Sequence, residues 1–286
     1  MIVTLGITSY NSENTILRAI NSAQHQEWSD LEIVVVDDQS TDGSWDTLRA
    51  LAAMDSRIKL VRHSTNKGVA ASRNTIIANA SGCFVAFLDD DDVAMVDRIR
   101  AQVERTLLYE AASGARLVFC YSERLVIKGE NSPVHVKSAI GNASPEPFGP
   151  AVADHVLGLP DCGEQFVFGL MGSGTMMARR TTFEAVGRFD EKFRRFEEQD
   201  YAIRAALVGA HFISVNRPLI TQYLTQRVDK SGSKPLHYAL LLRDKHHAYL
   251  KQRGLYQASR MFARSDFWGS KSAILGAAFT GHWLMR

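Results

Sequence analysis

Gly82-Cys83-Phe84-Val85-Ala86-Phe87-Leu88-Asp89-Asp90-Asp91-Asp92 reads as an apolar strand that ends abruptly in four consecutive carboxylates. Uninterrupted apolar runs of this length belong to strands buried on both faces, as in parallel sheets. Four adjacent negative charges repel one another, so the run calls for a cation, and a divalent metal carrying phosphates is the expected one. The stretch thus predicts a fold and, at its carboxyl end, a site.

Outward from this run, short apolar segments alternate with segments of helical period, the pattern of βαβ units and a mainly parallel sheet. Strands are predicted at 2–8, 32–37, 58–62, 83–88 and 116–121, with helices near 13–25, 43–55, 68–80 and 93–110. The last helix would carry Val93, Val96, Ile99, Val103 and Leu107 on one buried stripe. Asp92 is the expected cap of its first turn, and Asn66 that of the helix before it. Five of the seven prolines fall between 128 and 160, which predicts a long irregular excursion. A second αβ region follows, with helices near 181–187 and 198–208 and a strand at 211–215. Beyond 235 the pattern is helical, in segments near 236–252 and 255–270.

The 286 residues can bury a large core, and 45% hydrophobic with 22% charged content is ordinary for a globular chain. The net charge of +2 hides an asymmetry: 234–286 holds nine Lys/Arg against two Asp/Glu, a basic tail on an acidic body. Cys83, Cys120 and Cys162 have no metal-type spacing, and an odd count argues against a disulfide framework, so a reducing cytoplasm is expected. The first residues read as a strand rather than a signal peptide. The longest apolar candidate, 273–285, is too short to span a bilayer and is interrupted by His282. No nucleic-acid partner is expected. The basic tail, with Tyr249, Tyr256, Phe262, Phe267 and Trp268, could lie peripherally on an anionic inner membrane face or simply cap the body.

Parallel α/β sheets bind ligands at the carboxyl ends of their strands. Three polar clusters fall at such ends: Thr8-Ser9-Tyr10-Asn11, Asp37-Asp38-Gln39-Ser40, and Asp89-Asp90-Asp91-Asp92. Any one alone is readily a capping turn; three at equivalent ends predict a shared crevice.

These clusters, with Asn66-Lys67-Gly68-Val69-Ala70-Ala71-Ser72-Arg73-Asn74, Gly187-Arg188-Phe189-Asp190-Glu191 and Glu197-Glu198-Gln199-Asp200-Tyr201, resemble the glycosyltransferase family 2 enzymes of GT-A fold over roughly residues 1–225. The resemblance implies an α/β, Rossmann-like, mainly parallel sheet flanked by helices, with a helical C-terminal extension. It implies a donor-binding half at 1–125, an acceptor and catalytic half at 126–233, and the extension at 234–286. It also implies an inverting transfer from a nucleotide sugar, with UDP as the expected carrier, to a glycan or lipid-linked acceptor in cell-surface polysaccharide synthesis.

By the same resemblance Asp91 is the metal ligand, joined by Asp89, with Asp89 and Asp90 toward the ribose and the metal's waters. Mg²⁺ and Mn²⁺ both suit such an oxygen site. Asp38 would accept from the uracil imide, Thr8 and Tyr10 would frame the base with Asn11 also among the donor-binding residues, and Lys67 and Arg73 would contact phosphate or ribose unless they sit on a solvated helix face. Glu198 stands where the family normally has an aspartate base; Asp200 is the alternative. Glu197, Ser173 and Gly174 would border the acceptor and transferred sugar. Two other functions stay open on the residues: a phosphohydrolase using an aspartyl nucleophile in Phe87-Leu88-Asp89-Asp90-Asp91, and a non-catalytic nucleotide-sugar-binding protein, prompted by Glu at 198.

Overall fold

The computed structural model describes residues 1–129, 134–159, 165, 167–224 and 234–269. Strands β1 (Val3–Ser9), β2 (Leu31–Asp37), β3 (Ile58–Arg62) and β4 (Phe84–Asp89) form a parallel set, joined through helices α1 (Ile16–Gln24), α2 (Ser44–Met54) and α3 (Val69–Asn79). Alternate residues of each strand feed two cores. Leu5, Ile7, Ile33, Val35, Phe84 and Leu88 pack with Ile16, Ile20 and Leu48 of α1 and α2. Val34, Val36, Val85 and Phe87 pack on the other face with Ala70 and Ile76 of α3. A Cβ on Gly6 would meet Ile76 Cγ2 at 2.3 Å, so the absence of a side chain lets α3 lie close on β1.

The second half extends the same sheet. After β5 (Val93–Ala94) and α4 (Arg98–Ser113) come β6 (Val118–Ile127), β7 (His135–Lys137), α5 (Pro150–Leu157), a 3₁₀ turn at Ser173–Thr175, β8 (Met177–Arg179), α6 (Arg180–Val186), α7 (Glu197–Leu207) and β9 (His211–Tyr223). The sheet order is β3-β2-β1-β4-β8-β6-β9-β5, with β7 paired to β6. β8 is antiparallel to β4 and β6, while β6 and β9 are parallel. The expected boundary at 125/126 falls inside β6, so both halves share one sheet. Phe87, Phe119, Phe183, Phe189, Tyr201 and Phe212 form an aromatic core under α7, with Phe189 and Tyr201 stacked at 4.1 Å. This packing fixes the helix that carries Glu198 against the strand that carries Asp89.

Several sequence expectations are corrected. The helix expected from 93 begins at Arg98, because Val93 and Ala94 pair with Thr221 and Ile220 of β9. Val96, expected on the buried stripe, is 52% exposed, and Leu107 is also exposed; Ile99 and Val103 are buried. Asp92 does not cap this helix: it is buried, and its Oδ1 accepts from the Tyr223 amide at 3.2 Å. Asn66 is likewise no cap; Gly68, at φ +91°, precedes α3, and Asn66 Nδ2 donates to the Asp38 carbonyl. The proline-rich stretch contains β7 and α5, the latter with Pro150 in its first turn, where a missing amide hydrogen is harmless.

The basic extension forms α8 (Lys234–Lys245), α9 (His247–Gln252) and α10 (Tyr256–Gly269). Several of its cations turn inward. Arg243 is buried and donates to the Leu157, Ala239 and Ser259 carbonyls, Arg253 pairs with Asp154 at 2.6 Å, and Tyr249 donates to the same carboxylate. The described helices therefore cap the body. Residues 270–286, including the apolar stretch 273–285, lie outside the described residues, as does Cys162. No helix among the described residues is long and apolar enough to cross a membrane.

Candidate active site

The register of the parallel strands brings the three polar clusters to one edge: Thr8 lies beside both Val36 and Asp89, and Ser9 beside Asp37. The loops beyond are cross-tied. The Tyr10 amide donates to Asp90 Oδ2 at 3.0 Å, leaving the Tyr10 ring half-exposed. Asn11 Oδ1 accepts from the Thr41 amide at 2.8 Å, and the Asn11 amide donates to Ser40 Oγ. Asn11 thus clasps two loops. Asp38 is buried, accepting from the Lys67 amide and His63 Nδ1 on one oxygen and the Gly68 amide on the other, at 2.7–2.8 Å. Much of its capacity to accept is committed to shaping the 66–68 loop. Lys67 is exposed beside it.

Among non-glycine residues described, Asn11, Gln39 and Phe196 have positive φ, at 48°, 63° and 66°. The first two turn the chain after β1 and β2; the third immediately precedes Glu197. Left-handed backbone is costly for a bulky residue and concentrates where a site over-determines it.

Arg73 is not on a solvated face. It is buried, pairs with Glu197 Oε1 at 2.8 Å, and approaches Asp89 Oδ1 at 3.7 Å. Burial works against its charge, but Glu197, Asp89 and Glu198 outweigh this and hold its pKa above the usual value. The guanidinium therefore ties the carboxylates after β4 to those opening α7. The Ser173–Thr175 turn ties them a second time. The Ser173 amide donates to Glu198 Oε2, so it is not free for a sugar, and a Cβ on Gly174 would meet Asp89 Oδ2 at 2.8 Å. Gln102 of α4 holds this turn from below through the Thr175 and Cys120 carbonyls.

Glu198 is partly exposed at this junction, and burial, then the charge of Glu197, raises its pKa against the opposing pull of Arg73 and the Ser173 amide. A carboxyl shifted upward is a stronger proton acceptor when ionised. Asp200, the alternative base, is placed elsewhere. It has no exposure, accepting from His246 Nε2 at 2.9 Å, Lys245 Nζ at 2.8 Å and Arg204 Nε at 3.0 Å. Burial opposes its charge, but these partners bring its pKa down to about 2. Asp200 anchors α8 to α7. Removing one member of such a buried cluster costs about 3–5 kcal/mol, so Asp200→Asn should lower unfolding free energy by about 3 kcal/mol at neutral pH. A folded pKa below the unfolded value stabilises above the latter, so the deficit should narrow as pH falls from about 4 toward 2; denaturation curves of both proteins across that range check this.

Asp89 and Asp91 are half-exposed. Asp92, beneath them, is driven up to about 8 by burial, then by the charges of Asp89 and Asp91. Arg98, fully buried under the strand end, donates to the Phe87 carbonyl at 2.8 Å and has its pKa lowered to about 10 by burial. Among the described residues no three His, Cys, Asp or Glu side chains converge as a metal cage. The carboxylates fit an ion that takes its other oxygens from phosphate and water, as Mg²⁺ and Mn²⁺ do.

Sequence reasoning missed His63, Arg98, Gln102 and His246. The polar end of β3, Arg62-His63, was the one available signal; the others sit within helical or basic runs that gave none.

The fold is that of the GT-A glycosyltransferases. Staphylococcus aureus TarS 1–349 in complex with UDP-GlcNAc superposes with a TM-score of 0.63 over 96% of this chain and 83% of that one, at 17% identity. The glycosyl transferase family 2 model matches residues 4–148, and the chain belongs to that family. The chain is 39% identical over 106 residues to the Escherichia coli UDP-Glc:alpha-D-GlcNAc-diphosphoundecaprenol beta-1,3-glucosyltransferase WfgD, covering 37% of this chain and 41% of that one. It is 22% identical over 253 residues to the Erwinia amylovora amylovoran biosynthesis glycosyltransferase AmsB, covering 87% and 79%. Against WfgD and the Rhizobium meliloti succinoglycan biosynthesis protein ExoO, the matched stretch spans two fifths and under one third of the relative's length. Family membership displaces the phosphohydrolase reading of Asp89-Asp90-Asp91.

Proposed function

We propose that this chain transfers a sugar from a UDP-sugar to a glycan or lipid-linked acceptor, with inversion, in the synthesis of a surface polysaccharide. The observation that carries this reading is the double tie between Asp89 and Glu198, through Arg73 and through the 173–175 turn. A donor-side carboxylate and a candidate base then face one crevice, as a single displacement requires. The relatives add the substrate classes: WfgD is named for a UDP-Glc donor and a diphosphoundecaprenol-linked acceptor, and TarS holds UDP-GlcNAc.

In this reading Thr8, Tyr10 and the loop shaped by Asp38 receive the nucleotide, and Asp91 with Asp89 holds Mg²⁺ or Mn²⁺, which would neutralise charge developing on the diphosphate leaving group. Glu198 removes the proton of the attacking acceptor hydroxyl, its carboxylate fixed by the Ser173 amide. Arg73 holds Glu197 aligned beside it. Attack from the α7 side, opposite the strand-end carboxylates, inverts the anomeric centre.

A thermal-shift screen of UDP-, GDP- and dTDP-sugars with and without Mn²⁺ tests the donor assignment. UDP-sugars should stabilise most, and only with the metal; a ligand at 100 times its Kd adds about 2.7 kcal/mol. Equal stabilisation by all three nucleotides, or by none, would reject it.

A further inference from the structure

The connection from α6 to α7, residues 187–196, carries the motif Gly187-Arg188-Phe189-Asp190-Glu191 and is bounded by two left-handed residues, Gly187 at φ +87° and Phe196 at φ +66°. On one side it is fixed to α7. Arg204 of that helix donates to the Val186 and Arg188 carbonyls at 2.9 and 2.8 Å, and the Phe189 ring stacks on Tyr201 at 4.1 Å. Segment and helix form one packed unit, and Glu198 belongs to it.

On its other side the segment is held to α3 of the donor half by Asn74. Asn74 Nδ2 donates to the Phe189 carbonyl and to Glu191 Oε1, both at 2.9 Å, and Asn74 Oδ1 accepts from the Phe189 amide at 2.8 Å. Both backbone groups of one residue are thus satisfied by a single side-chain amide. The Glu191 carboxyl is held below its usual pKa first by this bond, against the opposing effect of burial, and then by Arg188. An exposed bond from Arg194 to Asn66 Oδ1 adds to the contact at its rim. The residue before Asn74, Arg73, pairs with Glu197, so adjacent positions of α3 hold the segment and the first turn of α7.

Asparagine is a poor choice for a helix interior, because its amide competes with the backbone for hydrogen bonds. Asn74 nevertheless stands in the middle of α3, 5% exposed, with its amide spent on residues 115 and 117 positions away. Other side chains do not meet the requirement of two donors and an acceptor at this reach: aspartate has no donor, serine has one, and glutamine is a methylene longer.

We propose that Asn74 is a positioning residue of the transfer, which by gripping Phe189 and Glu191 sets where Glu198 stands relative to the donor. This rests on the transferase reading above and adds to it a residue that touches no substrate. It also gives the 187–191 motif a function, as the surface by which the unit carrying the base docks on the donor half. A group misplaced by about 1 Å can lose about 10²-fold in rate, so the grip of one amide is enough to govern turnover.

The test uses the full chain with Mn²⁺ and UDP-glucose, the donor in the name of WfgD. It reads UDP release with water as acceptor, UDP affinity by calorimetry, and amide hydrogen exchange of 187–198 in the UDP complex. Asn74→Asp keeps the side-chain shape and loses both donors. It should lower kcat about 10- to 100-fold, with donor KM and UDP affinity within about twofold. Exchange of 187–198 should quicken about tenfold or more while β1 and β2 exchange as in the wild type. Asn74→Asp/Glu191→Gln restores one bond with its direction reversed and should recover about threefold or more of the lost kcat. Glu191→Ala, at an exposed position, should lower kcat about threefold with no change in thermal stability. Glu32→Gln is the stability control. It breaks the buried cluster of Glu32 with Thr4, Lys59 and Ser81 at the opposite end of β2 from Asp37, and should lower thermal stability with kcat within about twofold.

Wild-type kcat and exchange in Asn74→Asp, no recovery in the double variant, or an equal fall in kcat for Glu32→Gln would each overturn the proposal. Where water is too poor an acceptor for turnover to be read, exchange decides: quickened across 187–198 in Asn74→Asp and not in Glu32→Gln, it upholds the proposal, and any other pattern overturns it. UDP failing to bind the wild-type chain would reject the transferase reading and this one with it; UDP binding with 187–198 unaffected by Asn74→Asp would reject this one alone.

Discussion

Glu198→Gln is expected to slow transfer by about two to four orders of magnitude, the usual contribution of a positioned proton acceptor, while donor affinity stays within about twofold. The amide oxygen of glutamine can still accept from the Ser173 amide, and Arg73 remains paired with Glu197, so the junction between β4 and α7 survives. What is lost is the ability to take a proton. The pH profile supplies a second readout. Burial and the Glu197 charge raise the Glu198 pKa, so its basic form exists only at higher pH than an ordinary carboxylate would need. Turnover of the wild type should therefore fall as pH drops through that raised value, and the residual turnover of the variant should lack this limb. Wild-type turnover by Glu198→Gln would remove Glu198 from the mechanism. Asp200→Asn, by contrast, should change stability far more than the chemical step, because its carboxylate is saturated by Arg204, Lys245 and His246.

The donor half was legible in the sequence because its strands are long, apolar and punctuated by helices. β1 to β4 lie within one or two residues of their predicted bounds, and the polar clusters do meet at one edge. The acceptor half was less legible for a physical reason: β5 has two residues and β8 three, too few for any period, yet they decide how the sheet is extended. Val93 and Val96 fitted a helical stripe, and only the distant β9 pulls the first of them into a strand. For Arg73 and the basic extension two readings stayed open for a related reason. Charged residues on a predicted helix are usually solvated, and nothing local announces a partner 124 positions away, as Glu197 is from Arg73, or a carboxylate on another helix, as Asp200 is for Lys245. Asp92 was read from its neighbours in sequence, whereas its burial and its Tyr223 contact come from the far end of the chain.

Asp91→Ala should abolish metal-dependent turnover and, in the same protein, leave the metal-free thermal stability unchanged or slightly higher. The two expectations have one electrostatic cause. Asp89, Asp91 and the buried Asp92 accumulate negative charge over one turn, enough to drive the Asp92 carboxyl up to about 8, and removing one like charge relieves the others when no cation is present. The Asp91 backbone carbonyl, which accepts from Arg18, is retained in the variant, so the loop keeps its tie to α1. With Mn²⁺ and UDP the balance reverses. The wild type should gain stability that, at about 2–4 °C per kcal/mol for a chain of this size, amounts to several degrees at saturating ligand, and Asp91→Ala should lose the metal-dependent part of that gain. Asp90→Ala makes the contrast. Asp90 holds the Tyr10 amide, so its loss should loosen the nucleotide loop and weaken UDP binding with or without metal. Metal-dependent stabilisation surviving in Asp91→Ala but lost in Asp90→Ala would move the ligand by one residue; survival in both would remove Asp90 and Asp91 from the metal site.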